Sequence, residues 1–199
     1  KCKHMKYLLS IVLVVSLSCA NIRAQEVSVE KSTWGVQIIM LPLSVYNESK
    51  LTNEIALRSE LSWGFSWSKG GYYDSSDRWE VIPYLVVEPR YYYNLNRRNQ
   101  KGKRIDGNSG NYLSLYSSFQ PGIGFKSDNV RIDPGIYIIP MYGLRRNIGQ
   151  GFNFEAAFGV GYGWDFEEYT DFNGGSYRNT DSGVLANFRL AIGYMFKKG

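Results

Sequence analysis

FNFEAAFGVGYGWDF, residues 152–166, alternates at every step between two kinds of side chain. The even positions are large or apolar: Phe152, Phe154, Ala156, Phe158, Val160, Tyr162, Trp164 and Phe166. The odd positions are small or polar: Asn153, Glu155, Ala157, Gly159, Gly161, Gly163 and Asp165. Because successive side chains of a β-strand point to opposite faces, the pattern predicts one continuous strand. The strand is much longer than the roughly 5–6 residues that are commonest in globular sheets.

The same alternation recurs in other segments of the chain. They are Trp34–Tyr46, Ile55–Trp67, Trp79–Leu95, Tyr112–Phe125, Val130–Leu144 and Val184–Phe196. The first is the least regular, because Ile39, Leu41, Leu43 and Val45 lie on its otherwise polar face. Polar turn segments rich in Gly, Ser, Asn and Asp separate the strands, among them Asn47–Asn53 and Arg145–Gly151. The pattern predicts a single all-β domain over residues 25–199.

Seven alternating segments are countable, so one strand of the expected barrel is not yet accounted for. Outer-membrane barrels made from one bacterial chain have an even number of strands, with eight as the minimum. An eighth strand is expected either from Glu26–Thr33, where Val27 and Val29 alternate, or as a hairpin arm within Glu167–Gly183. The predicted fold is a single up-and-down antiparallel transmembrane β-barrel of eight strands.

The start of the chain has the features of a secretory signal peptide. Lys6 precedes an apolar run, Leu8–Leu17, and small residues follow it, so residues 5–24 are predicted to be removed on export. Met5 is then the initiator, and residues 1–4 are upstream sequence. Cleavage after Ala24 or after Ala20 fits this pattern.

Cys19 raises the alternative of a lipoprotein cleaved at that cysteine. Ser16 stands where such signals usually have leucine, so the ordinary signal peptide is preferred. The other cysteine is Cys2 and the single histidine is His4, so the predicted mature chain contains neither residue type. Disulfides, thiolate nucleophiles, histidine bases and the usual transition-metal ligands are thereby excluded from it. We expect no enzymatic activity, no cofactor and no metal site.

Alternation alone does not separate a membrane barrel from a soluble one, because lipocalin-like barrels alternate too. Three features favour the membrane. The segments exceed the roughly 9–11 residues that cross the hydrocarbon layer at a tilt. Aromatic residues gather near strand ends, as in an aromatic girdle: Trp63, Phe65, Trp67, Tyr91, Tyr93, Tyr162, Trp164 and Phe166. The last alternating strand ends on Phe196, close to the C-terminus. The remaining alternative is a soluble periplasmic lipid-binding barrel.

Three short runs carry a resemblance to known proteins. They are RYYYNL at 90–95, SGNYLSL at 109–115 and IIPMYGLRRNIG at 138–149. In these runs the chain resembles small outer-membrane barrel proteins common in Bacteroidetes, most of which have no assigned activity. The resemblance covers roughly Trp34–Phe196, and it implies the barrel fold and an outer-membrane location more than it implies a function.

Charged residues of both signs occupy the polar face of the predicted strands. They are Arg58, Glu60, Glu80, Glu88, Arg90, Glu155 and Arg189. An eight-stranded barrel is just wide enough for side chains to fill it, and isolated buried charges are very costly. We therefore predict a structural ion-pair network in the lumen, with a narrow ion or small-solute channel as the alternative. Gly159, Gly161 and Gly163 leave room on their strand for larger groups such as Arg90, Glu88 and Arg189.

A short repeat places basic residues at one end of the barrel. The repeat occurs first as Tyr93-x-Leu95-x-Arg97-Arg98-Asn99. About two strands later it recurs as Tyr142-x-Leu144-Arg145-Arg146-Asn147. The predicted basic rim consists of Arg97, Arg98, Lys101, Lys103, Arg104, Arg145 and Arg146. With the C-terminus this rim would face the periplasm. It is either the charged rim that any barrel needs or, as the alternative, a surface that meets anionic lipid headgroups or cell-wall polymer.

The expected partners follow from this arrangement. The barrel wall would contact outer-membrane lipid. An unidentified extracellular ligand would meet the opposite loops, Ser68–Arg78, Lys126–Asn129 and Glu167–Gly183. No nucleic-acid motif is present. The expected role is structural, adhesive or one of envelope interaction.

Overall fold

The computed structural model describes residues 27–39, 43–69, 76–128, 130–170 and 175–196. The predicted signal peptide, with Met5 and Cys19, lies outside these residues. So do parts of the loops Ser68–Arg78, Lys126–Asn129 and Glu167–Gly183. Everything below concerns the described part of the chain.

The described residues form one antiparallel sheet. Its strands are β1 (Ser32–Ile39), β2 (Leu43–Lys50), β3 (Ile55–Ser68), β4 (Arg78–Tyr91), β5 (Asn111–Pro121), β6 (Phe125–Lys126), β7 (Pro134–Gly149), β8 (Phe152–Thr170) and β9 (Ser176–Phe196). A short helix, α1 (Leu95–Gln100), and a 3-10 turn, Asp106–Asn108, lie between β4 and β5.

The sheet closes on itself. Apart from the short β6, each strand pairs with the next along the chain, β5 with β7 among them, and β1 pairs with β9 so that Trp34 lies opposite Phe196. β6 continues β5 beyond the turn at Gly122 and pairs with the same neighbour, β4, so the two count as one barrel strand. Gly122 has a φ of +72°, which permits this turn without steric cost. The predicted all-β, up-and-down barrel of eight strands is confirmed.

Both expected sources of the eighth strand were wrong. Val27–Lys31 lies outside any strand, and the described parts of Glu167–Gly183 lengthen β8 and β9 without adding a strand. The segment Trp34–Tyr46 instead belongs to two strands, β1 and β2, which pair so that Ile38 lies opposite Leu43. A chain reversal explains why its outward residues change from even to odd positions: Trp34 and Ile38 are exposed, and so are Leu43 and Val45.

The polarity of the barrel is inverted relative to a soluble protein. On β9 the exposed side chains are Phe188, Leu190 and Ile192, whereas Arg189 and Ala191 between them are buried. The rule holds around the ring, and we call the exposed outward residues on its eight strands the apolar belt. It includes Trp34, Ile38, Leu43, Val45, Leu61, Phe65, Leu85, Val87, Leu113, Leu115, Ile136, Ile138, Phe158, Val160, Phe188 and Leu190.

The two ends of the barrel differ. The terminal rim, where β1 begins and β9 ends, carries the segment 92–110 and the tight β7–β8 turn. The distal rim carries the connections after β3, β6 and β8. Buried apolar side chains form one cluster inside the barrel: Val29, Ala56, Tyr92, Leu95, Tyr112, Ile139, Met141 and Ala157.

Candidate functional site

Arg90 on β4 and Glu155 on β8 form the centre of a charged cluster inside the barrel. The Arg90 guanidinium donates from Nη2 to Glu155 Oε1 at 2.8 Å and from Nη1 to Oε2 at 3.1 Å, a two-bond pairing. The same Nη2 donates to Glu88 Oε2 at 2.8 Å. All three side chains are fully buried.

Arg189 on β9 links the same two carboxylates from another side. Its Nη1 lies 2.8 Å from Glu88 Oε2 and 3.0 Å from Glu155 Oε1. Ser114 on β5 donates to Glu88 Oε1 at 2.6 Å, which satisfies the second oxygen of that carboxylate. On β3, Arg58 Nε donates to Glu60 Oε2 at 2.7 Å.

Glu48 on β2 and Arg145 on β7 extend the cluster toward the terminal rim. Arg145 Nη1 donates to Glu48 Oε2 at 2.9 Å, and Arg90 Nη1 lies 3.5 Å from the same oxygen. Tyr92 OH donates to Glu48 Oε1 at 2.8 Å, and Asn108 Nδ2 donates to it at 2.5 Å. Burial and the Glu48 carboxylate both raise the pKa of the Tyr92 phenol, so the phenol keeps its proton and donates it.

We call these residues the lumen network: Arg58, Arg90, Arg145 and Arg189 with Glu48, Glu60, Glu88 and Glu155. Positive and negative side chains are equal in number, which compensates charges that would each cost several kcal/mol if buried alone. Tyrosine rings add to this compensation, since the Arg58 guanidinium lies 3.8 Å from the Tyr46 ring centroid and that of Arg90 lies 4.4 Å from the Tyr112 centroid.

Six of the residues predicted for the lumen meet in this network: Arg58, Glu60, Glu88, Arg90, Glu155 and Arg189. The seventh, Glu80, lies apart from it. Glu80 is half-buried near the distal rim, where it lines a cavity of about 310 Å³ with Arg78 and Arg131.

Two members of the network were placed elsewhere by the sequence. Glu48 fell in the predicted turn Asn47–Asn53, whereas β2 runs on to Lys50. The sequence predicts Arg145 at the basic rim, with the strand ending at Leu144, but β7 continues to Gly149 and buries Arg145 completely. Extending each alternation by a few residues would have found both, since Glu48 follows Ser44 and Tyr46 on the inner face and Arg145 follows Met141 and Gly143.

The other predicted rim residues lie at the terminal rim. Arg97, Lys101, Lys103 and Arg104 are exposed. Arg98 is half-buried and donates to the Arg104 carbonyl oxygen at 2.9 Å. Arg146 is half-buried and donates to the Gly110 carbonyl oxygen at 2.8 Å and to Asn111 Oδ1 at 2.5 Å. We keep the name basic rim for Arg97, Arg98, Lys101, Lys103, Arg104 and Arg146.

The barrel interior is covered at the terminal rim by two chain segments that bind one another. Val29 N donates to the Asn53 carbonyl oxygen at 2.9 Å, so the N-terminal segment lies against the β2–β3 turn. Glu30 N donates to Asn108 Oδ1 at 2.7 Å, and Gly107 N donates to Glu30 Oε1 at 3.2 Å. Asn108 in turn contacts Glu48, so this cover is hydrogen-bonded to the lumen network.

A cavity of about 390 Å³ lies on the distal side of the lumen network. Its inner walls are mainly aromatic and aliphatic, with Glu60 and Arg189 at the base, and they include Tyr84, Tyr116, Ser118, Tyr137, Ile139 and Leu185. We call it the distal cavity.

The glycine face of β8 is covered by neighbours other than the expected charged groups. A Cβ at Gly159 would lie 2.8 Å from Met141 Cγ, and one at Gly163 would lie 2.6 Å from Tyr137 Cδ1. One at Gly161 would lie 2.9 Å from Ile139 Cγ1. Inner side chains of the adjacent strand β7 thus lean over these glycines, rather than Arg90, Glu88 or Arg189.

Within the described ranges, no three His, Cys, Asp or Glu side chains are grouped as they would be to hold a metal ion. Among the helices that the structure describes, none is long and apolar enough to cross a membrane.

Comparison with protein-family models, with curated proteins and with solved structures finds no match to this chain. The similarity to outer-membrane barrel proteins of Bacteroidetes therefore stays a prediction.

Proposed function

We propose that the protein is an integral barrel of the cell outer membrane with a structural, adhesive or envelope-interaction role. The observation that carries the proposal is the inverted polarity of the barrel. Arg90 and Glu155 are fully buried inside, while Phe188 on the outer face is 68% exposed. A wall with this polarity suits lipid outside and a sealed polar interior.

The apolar belt argues against the soluble alternative. Soluble proteins rarely expose contiguous apolar patches of more than a few hundred Å². Here all eight barrel strands contribute exposed aliphatic or aromatic side chains, for example Leu85 and Val87 on β4 and Phe158 and Val160 on β8. A soluble lipid-binding barrel would instead turn these residues inward and its charges to water.

Aromatic residues at both ends of the belt add support. Tyr91, Tyr93 and Tyr142 lie toward the terminal rim, and Trp67 and Trp79 toward the distal rim, all with exposed side chains. Tyr93 OH donates to Tyr142 OH at 3.1 Å, which holds two of these rings together on the outer surface. Two such rings of aromatics mark the interfaces of outer-membrane barrels.

The lumen network favours a closed barrel over the alternative of a channel. Arg58, Arg90 and Arg145 project into the interior from three strands and are fully buried, and the cover at the terminal rim lies beyond them. An ion crossing the lumen would have to separate paired charges. We propose that the protein does not conduct steadily.

The same burial supports the absence of catalysis. Glu88 and Glu155 are close enough to work as an acid and a base, but all four oxygens are occupied. Arginine N–H groups bond to both Glu155 oxygens and to Glu88 Oε2, and the Ser114 hydroxyl bonds to Glu88 Oε1. A general acid or base must reach a proton of the substrate, and neither carboxylate is accessible. We therefore propose no enzymatic role.

The basic rim suggests the proposed orientation and partners. It lies at the same end as the start of β1 and the end of β9. With this end in the periplasm, exposed Lys101, Lys103 and Arg97 would meet anionic headgroups or cell-wall polymer. The distal rim would then face outward, toward an unidentified extracellular ligand.

Cell fractionation tests the proposal. The protein should stay with outer membranes after a carbonate wash, and heating should change its mobility on a gel, because a folded barrel resists detergent. Recovery in the soluble periplasmic fraction would overturn the membrane location. Planar-bilayer recordings of purified protein then test the lumen, and stable conductance steps would contradict a closed barrel.

A further inference from the structure

The barrel wall is shorter where β1 and β2 form it than elsewhere. β1 and β2 have 8 residues each, whereas β3 has 14 and β9 has 21. On the distal side, β1 reaches Ile39, opposite Ala191, and β2 pairs with β3 as far as Ser44, opposite Ser62. Of the described strands, only β4 pairs with β3 beyond that level and only β8 pairs with β9 there. Among the described residues, no strand fills the wall between Trp63–Ser68 and Ser176–Leu190, and we call this opening the lateral gap.

The distal cavity continues into this lateral gap. Most of its lining comes from inward positions, but Trp63 and Phe188 line it as well. These two residues occupy outward positions of β3 and β9, one on each side of the gap. Outward residues can line an interior cavity only where the wall between them is open, so the cavity opens sideways.

The opening lies at the level of the apolar belt. On β9 the outward residues on both sides of Phe188, Val184 and Leu190, are exposed and apolar, and so is its pairing partner Phe158 on β8. On β8 the exposed Val160 follows toward the distal rim. In a membrane the gap would therefore face the hydrocarbon region on the distal side of the barrel.

We propose that the lateral gap admits an acyl chain from the membrane into the distal cavity. This inference rests on the proposed membrane location. The cavity volume of about 390 Å³ falls in the range of roughly 300–1,000 Å³ that is typical of ligand pockets. Tyr84, Tyr116, Ile139 and Leu185 offer a chain aromatic and aliphatic contacts.

The base of the cavity also fits an uncharged occupant. Arg189 is the cation nearest to the cavity, and its Nη1 is held by Glu88 and Glu155 at 2.8 and 3.0 Å. Glu60 is likewise paired, with Arg58. Neither group needs a counter-ion, so the base would meet the end of a chain rather than an ionic headgroup.

The edges of the gap fit the polar end of such a lipid. Backbone N–H and C=O groups that no strand pairs with are costly in hydrocarbon unless another polar group bonds to them. Ester or carboxyl oxygens and glycerol hydroxyls can bond to these groups along Trp63–Ser68 and Ser176–Leu190 while the chain lies in the cavity. The structure thus offers both a chain pocket and a polar mouth.

Photo-crosslinking tests the proposal. The full-length protein is inserted into phosphatidylcholine vesicles that carry a photoactivatable diazirine either on added palmitic acid or on one chain of the phospholipid. We expect crosslinks on the inner residues Tyr84, Tyr116 or Leu185, which fragmentation of the labelled peptides distinguishes from their outward neighbours. Crosslinks from the phospholipid identify a bilayer lipid as the source of the chain, and crosslinks from palmitic acid alone identify a free fatty acid.

A matched pair of substitutions on β5 sharpens the test. Ser118 lines the distal cavity and is buried, whereas Ser117 occupies the outward face of the same strand. Ser118→Trp should lower the inner crosslinks about tenfold, equivalent to roughly 1.4 kcal/mol of binding free energy. Ser117→Trp should leave them unchanged. Heat-dependent gel mobility checks that each variant is folded, and wild-type mapping stands even if Ser118→Trp does not fold.

The possible failures are distinguishable. If the wild-type protein floats with the vesicles, shows heat-dependent mobility and crosslinks only at outer residues such as Leu115 and Ile138, the chain site is wrong and the membrane proposal stands. If the protein does not float with the vesicles, the membrane proposal is wrong and the acyl-chain site is overturned with it.

Discussion

Arg90 on β4 and Glu155 on β8 bind each other across the inside of the barrel through two hydrogen bonds of 2.8 and 3.1 Å. The two strands are not neighbours, because β5 and β7 lie between them in the ring. The pair therefore joins distant parts of the wall, whereas the backbone ladder joins only adjacent strands. We expect the barrel to depend on this contact for its stability.

Arg90→Met should strongly destabilise the barrel, because it leaves Glu155 and Glu88 buried with less compensation. Breaking a buried pair from one side costs about 3–5 kcal/mol. Chemical unfolding in detergent micelles measures the loss. Arg97→Met on the exposed surface of α1 is the control and should change the unfolding free energy by about 1 kcal/mol or less. The double variant Arg90→Met with Glu155→Met should recover part of the loss, and full additivity would argue against direct coupling.

Glu48→Gln should loosen the segment 92–110 that covers the terminal rim. Glu48 accepts hydrogen bonds from Tyr92 and Asn108 at the two ends of this segment. Hydrogen bonds to a charged group contribute about 1.5–3 kcal/mol, so trypsin should cleave at Lys101 and Lys103 about tenfold faster. Glu54→Gln, at an exposed position on the same rim, should cleave at the wild-type rate. Equal rates for both variants would show that Glu48 does not anchor the cover.

Gly161→Ala should severely reduce the yield of folded barrel. A Cβ there would lie 2.2 Å from the Ile138 carbonyl oxygen and 2.6 Å from Ile139 Cα, both backbone atoms of the adjacent strand. Such an overlap forces the two strands apart. Gly183→Ala is the matched control on β9, since a Cβ at Gly183 meets no atom within 4 Å. The heat-shifted fraction on a gel after refolding reports the outcome, and a normal yield for Gly161→Ala would contradict the close packing of β7 on β8.

Charge reversal at the basic rim tests the proposed contact with anionic polymer. Lys101→Glu with Lys103→Glu should weaken co-sedimentation of the folded protein with purified cell-wall sacculi, and added salt should weaken the wild-type interaction in the same way. Both lysines are exposed. Arg178→Glu changes an exposed charge on β9 near the distal rim and should have no effect. If the wild-type protein, the double lysine variant and Arg178→Glu all sediment equally, the basic rim does not bind the polymer and is an ordinary solvated surface.

The faces of the strands were predictable because strand alternation is a local property. Each residue's face follows from its position relative to its neighbours, which is why Glu88, Arg90 and Arg189 were assigned to the interior from the sequence. The ends of strands were less predictable, since polar residues occur both in turns and on inner faces. This ambiguity misplaced Glu48 and Arg145, and it hid the reversal between β1 and β2.

Alternation along the chain assigns most side chains to the inner or the outer face, and it shows that the interior holds charges of both signs. Which of these charges pair follows from closure of the ring, because Arg90 and Glu155 are 65 residues apart in the chain and meet only in the closed barrel. Ring closure likewise leaves no described strand beside Trp63 and Phe188, since a gap depends on the relative lengths of strands that pair across the whole chain. The face of a side chain depends on its immediate neighbours in the chain, so it could be predicted. Ion pairs and the gap depend on strands that are far apart in the chain, so they could not.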